Sequence, residues 1–177
     1  MTAESDILLR TERFFVQRVS QRTSHGTVHE REVIRHPGSV VILPCVDDQH
    51  VCLIRNYRVA VDQTLIELPA GTLEDGEEPL ETAARELIEE TGYRADKLHP
   101  LHSFFAAPGI LDERMHVFVA TGLTEGPPQR EANEQIENLV VTWAEALQLV
   151  RRGEIICLLY TSPSPRDATL SRMPSSA

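Results

Sequence analysis

The segment "RELIEETG", residues 85–92, places three glutamates and an arginine within one short stretch of chain. Pro79 suits the first position of a helix and Gly92 suits the residue after the last turn, so we expect a helix over residues 79–91. At about 100° per residue, its apolar side chains form one stripe that we expect to face the core: Leu80, Ala83, Ala84, Leu87 and Ile88. The glutamates fall on the opposite side: Glu86, Glu89 and Glu90.

Two interpretations of this glutamate cluster are open. Like charges one helical turn apart repel by a few tenths of a kcal/mol per pair, and a face built for solubility usually carries lysines among the glutamates. Hard divalent cations such as Mg²⁺ require oxygen ligands that balance their charge. The helix alone therefore indicates either a solvated acidic face or a metal site.

The composition excludes some classes of function. The chain has 177 residues, 41% of them apolar and 25% charged, which indicates one globular domain with or without a small appendage. A formal net charge of −10 disfavours nucleic acid as a partner. No apolar run of transmembrane length and no signal peptide are evident, so we expect no membrane partner. Cys45, Cys52 and Cys157 match no metal or redox spacing, which favours a cytoplasmic protein with reduced thiols.

The remaining pattern predicts mixed strands with helices on both sides. Residues 13–36 alternate apolar and polar side chains around Gly26, which predicts a strand pair. Further strands are predicted in four apolar stretches: residues 39–46, 50–59, 98–123 with an internal turn, and 136–144. The segment "TLIELPAG", residues 64–71, is predicted to be a strand that ends in a Pro–Ala–Gly turn. Residues 143–154 predict an amphipathic helix closed by Gly153. We therefore expect an α/β fold of the α/β/α sandwich type.

The last 21 residues, "CLLYTSPSPRDATLSRMPSSA", differ in character from the rest of the chain. They are rich in Ser and Pro and lack helical or strand periodicity, which is typical of a disordered tail. The segment also resembles the in-frame translation of a transposon-type sequencing adaptor, and the frame holds throughout. We therefore expect residues 157–177 to be a non-native tail, and the native chain to continue beyond Ile156.

A longer spacing resolves the two interpretations of the glutamates. The pattern G-x5-E-x7-R-E-L-x-E-E-x-G-Y is formed by Gly71, Glu77, Arg85, Glu86, Leu87, Glu89, Glu90, Gly92 and Tyr93. It resembles the Nudix box of the Nudix hydrolase superfamily at every specified position. The resemblance implies a Nudix-type α/β/α sandwich with a mixed sheet and a small N-terminal β extension, whose last helix is missing here. It also implies cleavage of a nucleoside diphosphate linked to another group.

The resemblance assigns the residues of the box to a metal site. It implies Mg²⁺, or Mn²⁺, held by Glu86 and Glu90, with Glu89 assisting and the carbonyl of Ala70 completing the shell. Arg85 and Glu89 would support catalysis, Arg85 by fixing the carboxylates through charge-assisted hydrogen bonds. The supporting positions would be Gly71, Glu77 and Gly92, with Glu77 holding Arg85.

Outside the box, residues 54–78 are similar to the ADP-ribose pyrophosphatase branch of the superfamily. A proline about fifteen residues beyond the box marks that branch, and Pro108 lies there. The resemblance implies that Arg58 binds the diphosphate, that Pro108 lies in the substrate site, and that Glu113 contacts a ribose or shapes the pocket. A surface role remains open for Arg58.

The branch also places a glutamate in the late loop, where it acts on the attacking water. The segment "EANEQIE" offers Glu131, Glu134 and Glu137, and Ala132 occupies one position at which relatives carry an acidic residue. Glu134 is the predicted base, and a glutamate that only solvates the turn is the alternative.

These expectations define three segments and a reaction. Residues 1–37 would be an N-terminal β extension serving as a dimer arm, 38–156 the Nudix hydrolase domain and 157–177 the non-native tail. The expected protein is a homodimer that hydrolyses the small molecule ADP-ribose, a nucleotide diphosphate, to AMP and ribose 5-phosphate. Two alternatives are the same chemistry on another nucleotide sugar or dinucleotide, and a catalytically silent nucleotide-binding Nudix-like module.

Overall fold

The computed structural model describes residues 6–130 and 134–156. Ten β-strands, two α-helices and one π-helical turn make up this part of the chain. In chain order they are β1 (Ile7–Arg10), β2 (Phe15–Arg22), β3 (Val28–Arg35), β4 (Ser39–Pro44), β5 (His50–Arg58), β6 (Gln63–Glu67), β7 (Ala70–Thr72), α1 (Pro79–Glu86), the π-turn (Leu87–Thr91), β8 (Arg94–Phe105), β9 (Arg114–Thr124), β10 (Ile136–Thr142) and α2 (Trp143–Arg151).

The N-terminal strands form a sheet of their own, in the order β1-β2-β3. Strands β2 and β3 are antiparallel and are joined by a turn in which Gly26 has φ +84°, a left-handed conformation that favours glycine. The predicted strand pair around Gly26 is confirmed. An isolated bridge between Ile34 and Leu111 connects this sheet to the loop that follows β8.

Two further sheets build the centre of the molecule. One has the order β7-β4-β9-β8 and is mixed, because β4 and β9 run parallel while the other pairs are antiparallel. The other has the antiparallel order β10-β5-β6. This mixed arrangement confirms the predicted fold class.

Side-chain alternation along β4 separates two apolar cores. Val40 and Ile42 pack with Leu87 and Ala83 on the side of α1. Val41 packs on the opposite face, in the core that residues of α2 also cover. Because successive side chains of a strand point to opposite faces, one continuous apolar strand can serve both layers, and the sandwich follows from it.

The box helix is not one continuous α-helix. It is α-helical as far as Glu86 and continues as the π-turn, which ends at Gly92 with φ +82°. The predicted core stripe is wrong in part, because Leu80 is 49% exposed and Ala84 is also exposed. The buried face is instead rotated toward the glutamates and consists of Thr82, Ala83, Leu87, Glu90 and Thr91.

The second helix begins at a capping box. The Thr142 hydroxyl accepts a hydrogen bond from the Glu145 backbone N–H, and the Glu145 carboxylate accepts one from the Thr142 N–H. Gly153, with φ +69°, lies just past the end of α2, as predicted.

Some predictions concern residues beyond the described ranges. Glu131, Ala132 and the segment 157–177 lie outside the described residues. Within residues 6–130 and 134–156, no helix is long and apolar enough to cross a membrane.

We predict that Gly92→Ala lowers the free energy of unfolding more than Gly153→Ala does. Each glycine follows a helix and has a positive φ, a conformation that costs an L-residue about 1–2 kcal/mol. A Cβ at Gly92 would also lie 2.1 Å from the carbonyl oxygen of Gly126, whereas nothing lies within 4 Å of one at Gly153. We therefore expect a loss of about 2–5 kcal/mol at position 92. Urea unfolding checks this, and equal losses at the two positions would contradict it.

Candidate active site

The guanidinium of Arg85 lies at the centre of three carboxylates. Its Nε and Nη2 donate to the two carboxylate oxygens of Glu77 at 3.0 and 2.8 Å, a bidentate pair. Its Nη1 donates to Glu86 at 2.8 Å and to Glu89 at 2.9 Å. The Arg85 hydrogen bond holds the pKa of Glu77 at about 2. The structure therefore joins the box arginine to three of its glutamates.

Glu90 is the most deeply placed of the box carboxylates. Glu90 is only 3% exposed, and its Oε2 accepts a hydrogen bond from the Ala70 backbone N–H at 2.9 Å. The pKa of Glu90 is raised to about 8, chiefly by burial and also by the charges of Glu86 and Glu134, against the lowering effects of the Ala70 N–H and Arg58. Burial likewise raises the pKa of Glu86, against the opposing effect of Arg85. The buried carboxylate of Glu90 therefore lies near the partly buried carboxylate of Glu86.

Gly71 leaves the space that the Glu86 carboxylate occupies. A Cβ at this position would lie 1.9 Å from Cδ and Oε1 of Glu86. The predicted Pro–Ala–Gly turn is wrong, since Ala70–Thr72 forms β7, which pairs with β4. The sheet therefore brings Gly71 against the box helix, and glycine is required there by the close approach and not by a turn.

The chemistry of the box carboxylates fits a hard divalent cation. Glu90 is a buried oxygen donor and Glu86 a partly buried one; besides burial, neighbouring carboxylates raise the pKa of each, and a cation would offset that repulsion. In the described part of the chain, no group of three or more His, Cys, Asp or Glu side chains converges closely enough to hold an ion. The carboxylates are instead directed to Arg85 and to the Ala70 N–H. A ligand role for the Ala70 carbonyl stays a prediction.

Arg58 lies close enough to Glu90 for its charge to lower the Glu90 pKa. Its Nε donates to one oxygen of Glu67 at 2.8 Å, and its Nη2 forms an ion pair with the same oxygen at 2.8 Å. Glu67 is 6% exposed and faces Arg58 from β6, directly before "LPAG". Glu67 is a site residue that was not predicted from the sequence, although its position just before the box could have indicated it.

Glu113 and Pro108 lie in the segment between β8 and β9. Glu113 accepts a hydrogen bond from the Ser39 hydroxyl at 2.6 Å. Pro108 lines a cavity of about 280 Å³ together with Phe105 and Ile110. Among residues 6–130 and 134–156, no hydrogen bond or ion pair joins either residue to the box carboxylates, so their substrate roles stay predictions.

The described loop glutamates, Glu134 and Glu137, differ in their relation to the box carboxylates. Glu134 is half-buried, and its charge raises the pKa of both Glu86 and Glu90. Glu137, on β10, is exposed and lies opposite Arg55 of β5. Because the next residue, Asn138, points toward the end of the π-turn, alternation along β10 directs Glu137 to the other face of the sheet. Of these two, Glu134 is the glutamate that shares the region of the box.

Comparison with known proteins identifies the family. The NUDIX domain family matches residues 35–157. The chain is 41% identical over 133 residues to the ADP-ribose pyrophosphatase of Bacillus subtilis (strain 168), covering 74% of this chain and 72% of that protein. It is 35% identical over 155 residues to a methanol dehydrogenase activator of Bacillus methanolicus, covering 83% and 84%. A crystal structure of an ADP compounds hydrolase superposes with a TM-score of 0.71 at 25% identity, covering 94% of each chain.

The chain therefore belongs to the NUDIX domain family. It is a Nudix hydrolase, of the branch that contains the ADP-ribose pyrophosphatases. Nudix hydrolases are generally dependent on divalent metal ions, which agrees with the donor chemistry of the box.

We predict that Gly71→Ala lowers kcat about 10²-fold, because the added methyl group displaces the Glu86 carboxylate. The loss should approach that of Glu86→Gln, which keeps the shape of the side chain and removes its charge. The free energy of unfolding should change by less than about 1 kcal/mol in Gly71→Ala, since its φ is not positive. Steady-state kinetics and urea unfolding check the two parts, and full activity in Gly71→Ala would contradict the assigned contact.

We predict that Glu77→Gln destabilises the protein at pH 7 by about 1–3 kcal/mol, because Arg85 loses its bidentate partner. The folded-state pKa of Glu77 is about 2, below its ordinary value of 4.5, so its contribution is present above pH 4.5 and is lost as the pH falls toward 2. The gap between wild type and variant should therefore narrow over that window. Urea unfolding at several pH values measures it, and a constant gap would contradict the assignment.

Proposed function

We propose that the chain hydrolyses ADP-ribose to AMP and ribose 5-phosphate with Mg²⁺, or Mn²⁺, as its cofactor. The observation that carries the proposal is the buried Glu90 beside the partly buried Glu86: the charge of Glu134 acts on both carboxylates, and that of Arg58 acts on Glu90. Such a region can hold a cation, an anionic substrate and a base together. The similarity to an ADP-ribose pyrophosphatase supports the choice of substrate.

The reaction requires one water molecule and no other co-reactant. Its oxygen attacks one phosphorus of the diphosphate, and the bond from that phosphorus to the bridging oxygen breaks. The bridging oxygen leaves with the electron pair, which yields AMP and ribose 5-phosphate. Glu86, Glu89 and Glu90 would hold the cation, which would supply charge compensation for the diphosphate and polarisation of the phosphorus.

The remaining roles, proton transfer, substrate binding and positioning, fall to other residues of the chain. Glu134 accepts the proton of the attacking water, since it is the described loop carboxylate nearest to the box. Arg58 contacts the diphosphate, with Glu67 fixing the direction of its guanidinium. Arg85 touches no substrate and acts by positioning Glu86 and Glu89, while Glu77 orients Arg85.

A second substrate is favoured by one observation. The structural relative with a TM-score of 0.71 is an ADP compounds hydrolase, a description wider than ADP-ribose. The same residues would cut any nucleoside diphosphate joined to a second group, because the diphosphate is the shared feature. The substrate panel must therefore include other ADP-sugars, dinucleotides and GDP-mannose.

We predict that the chain releases AMP from ADP-ribose in the presence of Mg²⁺ and that EDTA abolishes the release. Glu90→Gln should lower kcat by about 10²–10³-fold, because a ligand of the cation loses its charge. Glu81→Gln is the matched control, since Glu81 lies exposed in the first turn of the same helix. Chromatography of the products measures the rates.

Each outcome of this experiment has a consequence. Preference for another member of the panel would keep the mechanism and change the substrate. Equal rates for Glu90→Gln and Glu81→Gln would contradict the metal assignment. Absence of any product from a chain that circular dichroism shows to be folded would contradict the proposed function and favour a nucleotide-binding module.

A further inference from the structure

Three successive backbone carbonyls at the end of the π-turn receive hydrogen bonds from outside the helix. The Glu89 carbonyl accepts from the Gln129 backbone N–H at 3.0 Å. The Glu90 carbonyl accepts from Arg130 Nε at 2.9 Å, and the Thr91 carbonyl accepts from Asn138 Nδ2 at 2.8 Å. The last carbonyls of a helix have no partner within the helix, so these three donors complete its C-terminal end.

Arg130 also joins two of these contacts to each other. Its Nη2 donates to Asn138 Oδ1 at 2.8 Å while its Nε holds the Glu90 carbonyl. A guanidinium is planar and fixes the directions of its donors, so one side chain sets the relative position of the helix end and of strand β10. A water molecule could satisfy a single carbonyl, but it could not fix two elements in this way.

The position of Arg130 in the chain gives this contact its significance. Arg130 lies four residues before Glu134, and Gln135 directly follows Glu134. The Gln135 carbonyl accepts a hydrogen bond from the Tyr57 backbone N–H at 3.3 Å. Arg130 is thus bonded to the box helix, and Gln135, the neighbour of Glu134, is bonded to β5.

We propose that Arg130, together with Asn138, is a positioning residue that sets where Glu134 lies relative to the end of the box helix. The same guanidinium that binds the carbonyl of Glu90 thereby sets the distance between the Glu134 carboxylate and the carboxylates of Glu86 and Glu90. This inference rests on the role of Glu134 in the proposed function. Arg130 acts through Glu134 and needs no contact with substrate.

A double-mutant cycle tests whether Arg130 acts through Glu134. Arg130→Gln should lower kcat about 30-fold or more and change KM less than about 3-fold. In a Glu134→Gln background the same change should lower kcat less than about 3-fold, because the group that Arg130 positions has already lost its function. Arg130→Lys should fall between, since an ammonium cannot reproduce both directed contacts. Arg94→Gln is the matched control, because Arg94 is an exposed arginine three residues past Thr91, the last residue of the π-turn.

Two outcomes, one kinetic and one from metal binding, would overturn the proposal. Equal losses of kcat in the wild-type and Glu134→Gln backgrounds would show that Arg130 does not act through Glu134. A fall in Mn²⁺ affinity parallel to the fall in kcat, measured by titration of the metal alone, would show that Arg130 acts on the metal ligands. We expect the Mn²⁺ affinity of Arg130→Gln to stay within about 2-fold of wild type.

A measurement without turnover separates this proposal from the proposed function. If ADP-ribose is not the substrate, the cycle is run on whichever compound of the panel is hydrolysed. Whatever the substrate, hydrogen exchange of the Gln129 amide, which donates to the Glu89 carbonyl, should accelerate at least 10-fold in Arg130→Gln and not in Arg94→Gln. An unchanged exchange rate of that amide would contradict the proposal even in a chain without measurable activity.

Discussion

The structure of the site depends on the ion pairs of Arg85. Glu86, Glu89 and Glu90 stand close together on one helix end, and their charges repel. The bidentate pair between Arg85 and Glu77 holds a guanidinium among them, and that guanidinium reaches both Glu86 and Glu89. Because each of these groups is at least partly buried, the interactions are screened less than surface pairs. A hydrolase can therefore keep crowded carboxylates in a folded chain.

Much of the fold was predictable because strong local signals agreed. Gly26 with its alternating flanks predicted the β2–β3 hairpin, and Gly153 predicted the end of α2. The buried face of the box helix was not predictable from apolar periodicity, because Glu90 faces the Ala70 N–H and is buried for a polar reason. The π-turn was also missed, since the residues from Leu87 to Thr91 carry no pattern that separates it from an α-helix.

In the site, too, some contacts were predictable from local sequence and others were not. The box spacing predicted the grouping of Arg85 with Glu77, Glu86 and Glu89, because positions on one helix and one preceding loop determine it. The choice between Glu134 and Glu137 required the register of β10 against β5, which no short motif contains. The contact of Arg130 with the Glu90 carbonyl required the path of the loop after β9. Long-range contacts of this kind lie beyond local sequence patterns.

Alternation along β4 has a consequence for engineering this scaffold. The layer beneath α1 carries the box, whereas the layer beneath α2 contains Val41, Leu53 and Ile155 and none of the box carboxylates. Distant sites without shared partners contribute to stability almost additively. Directed evolution can therefore repack the second layer at positions away from Ala70, which packs against it and donates to Glu90, or fill the surface around the exposed Leu147, to raise heat tolerance without retuning the reaction centre.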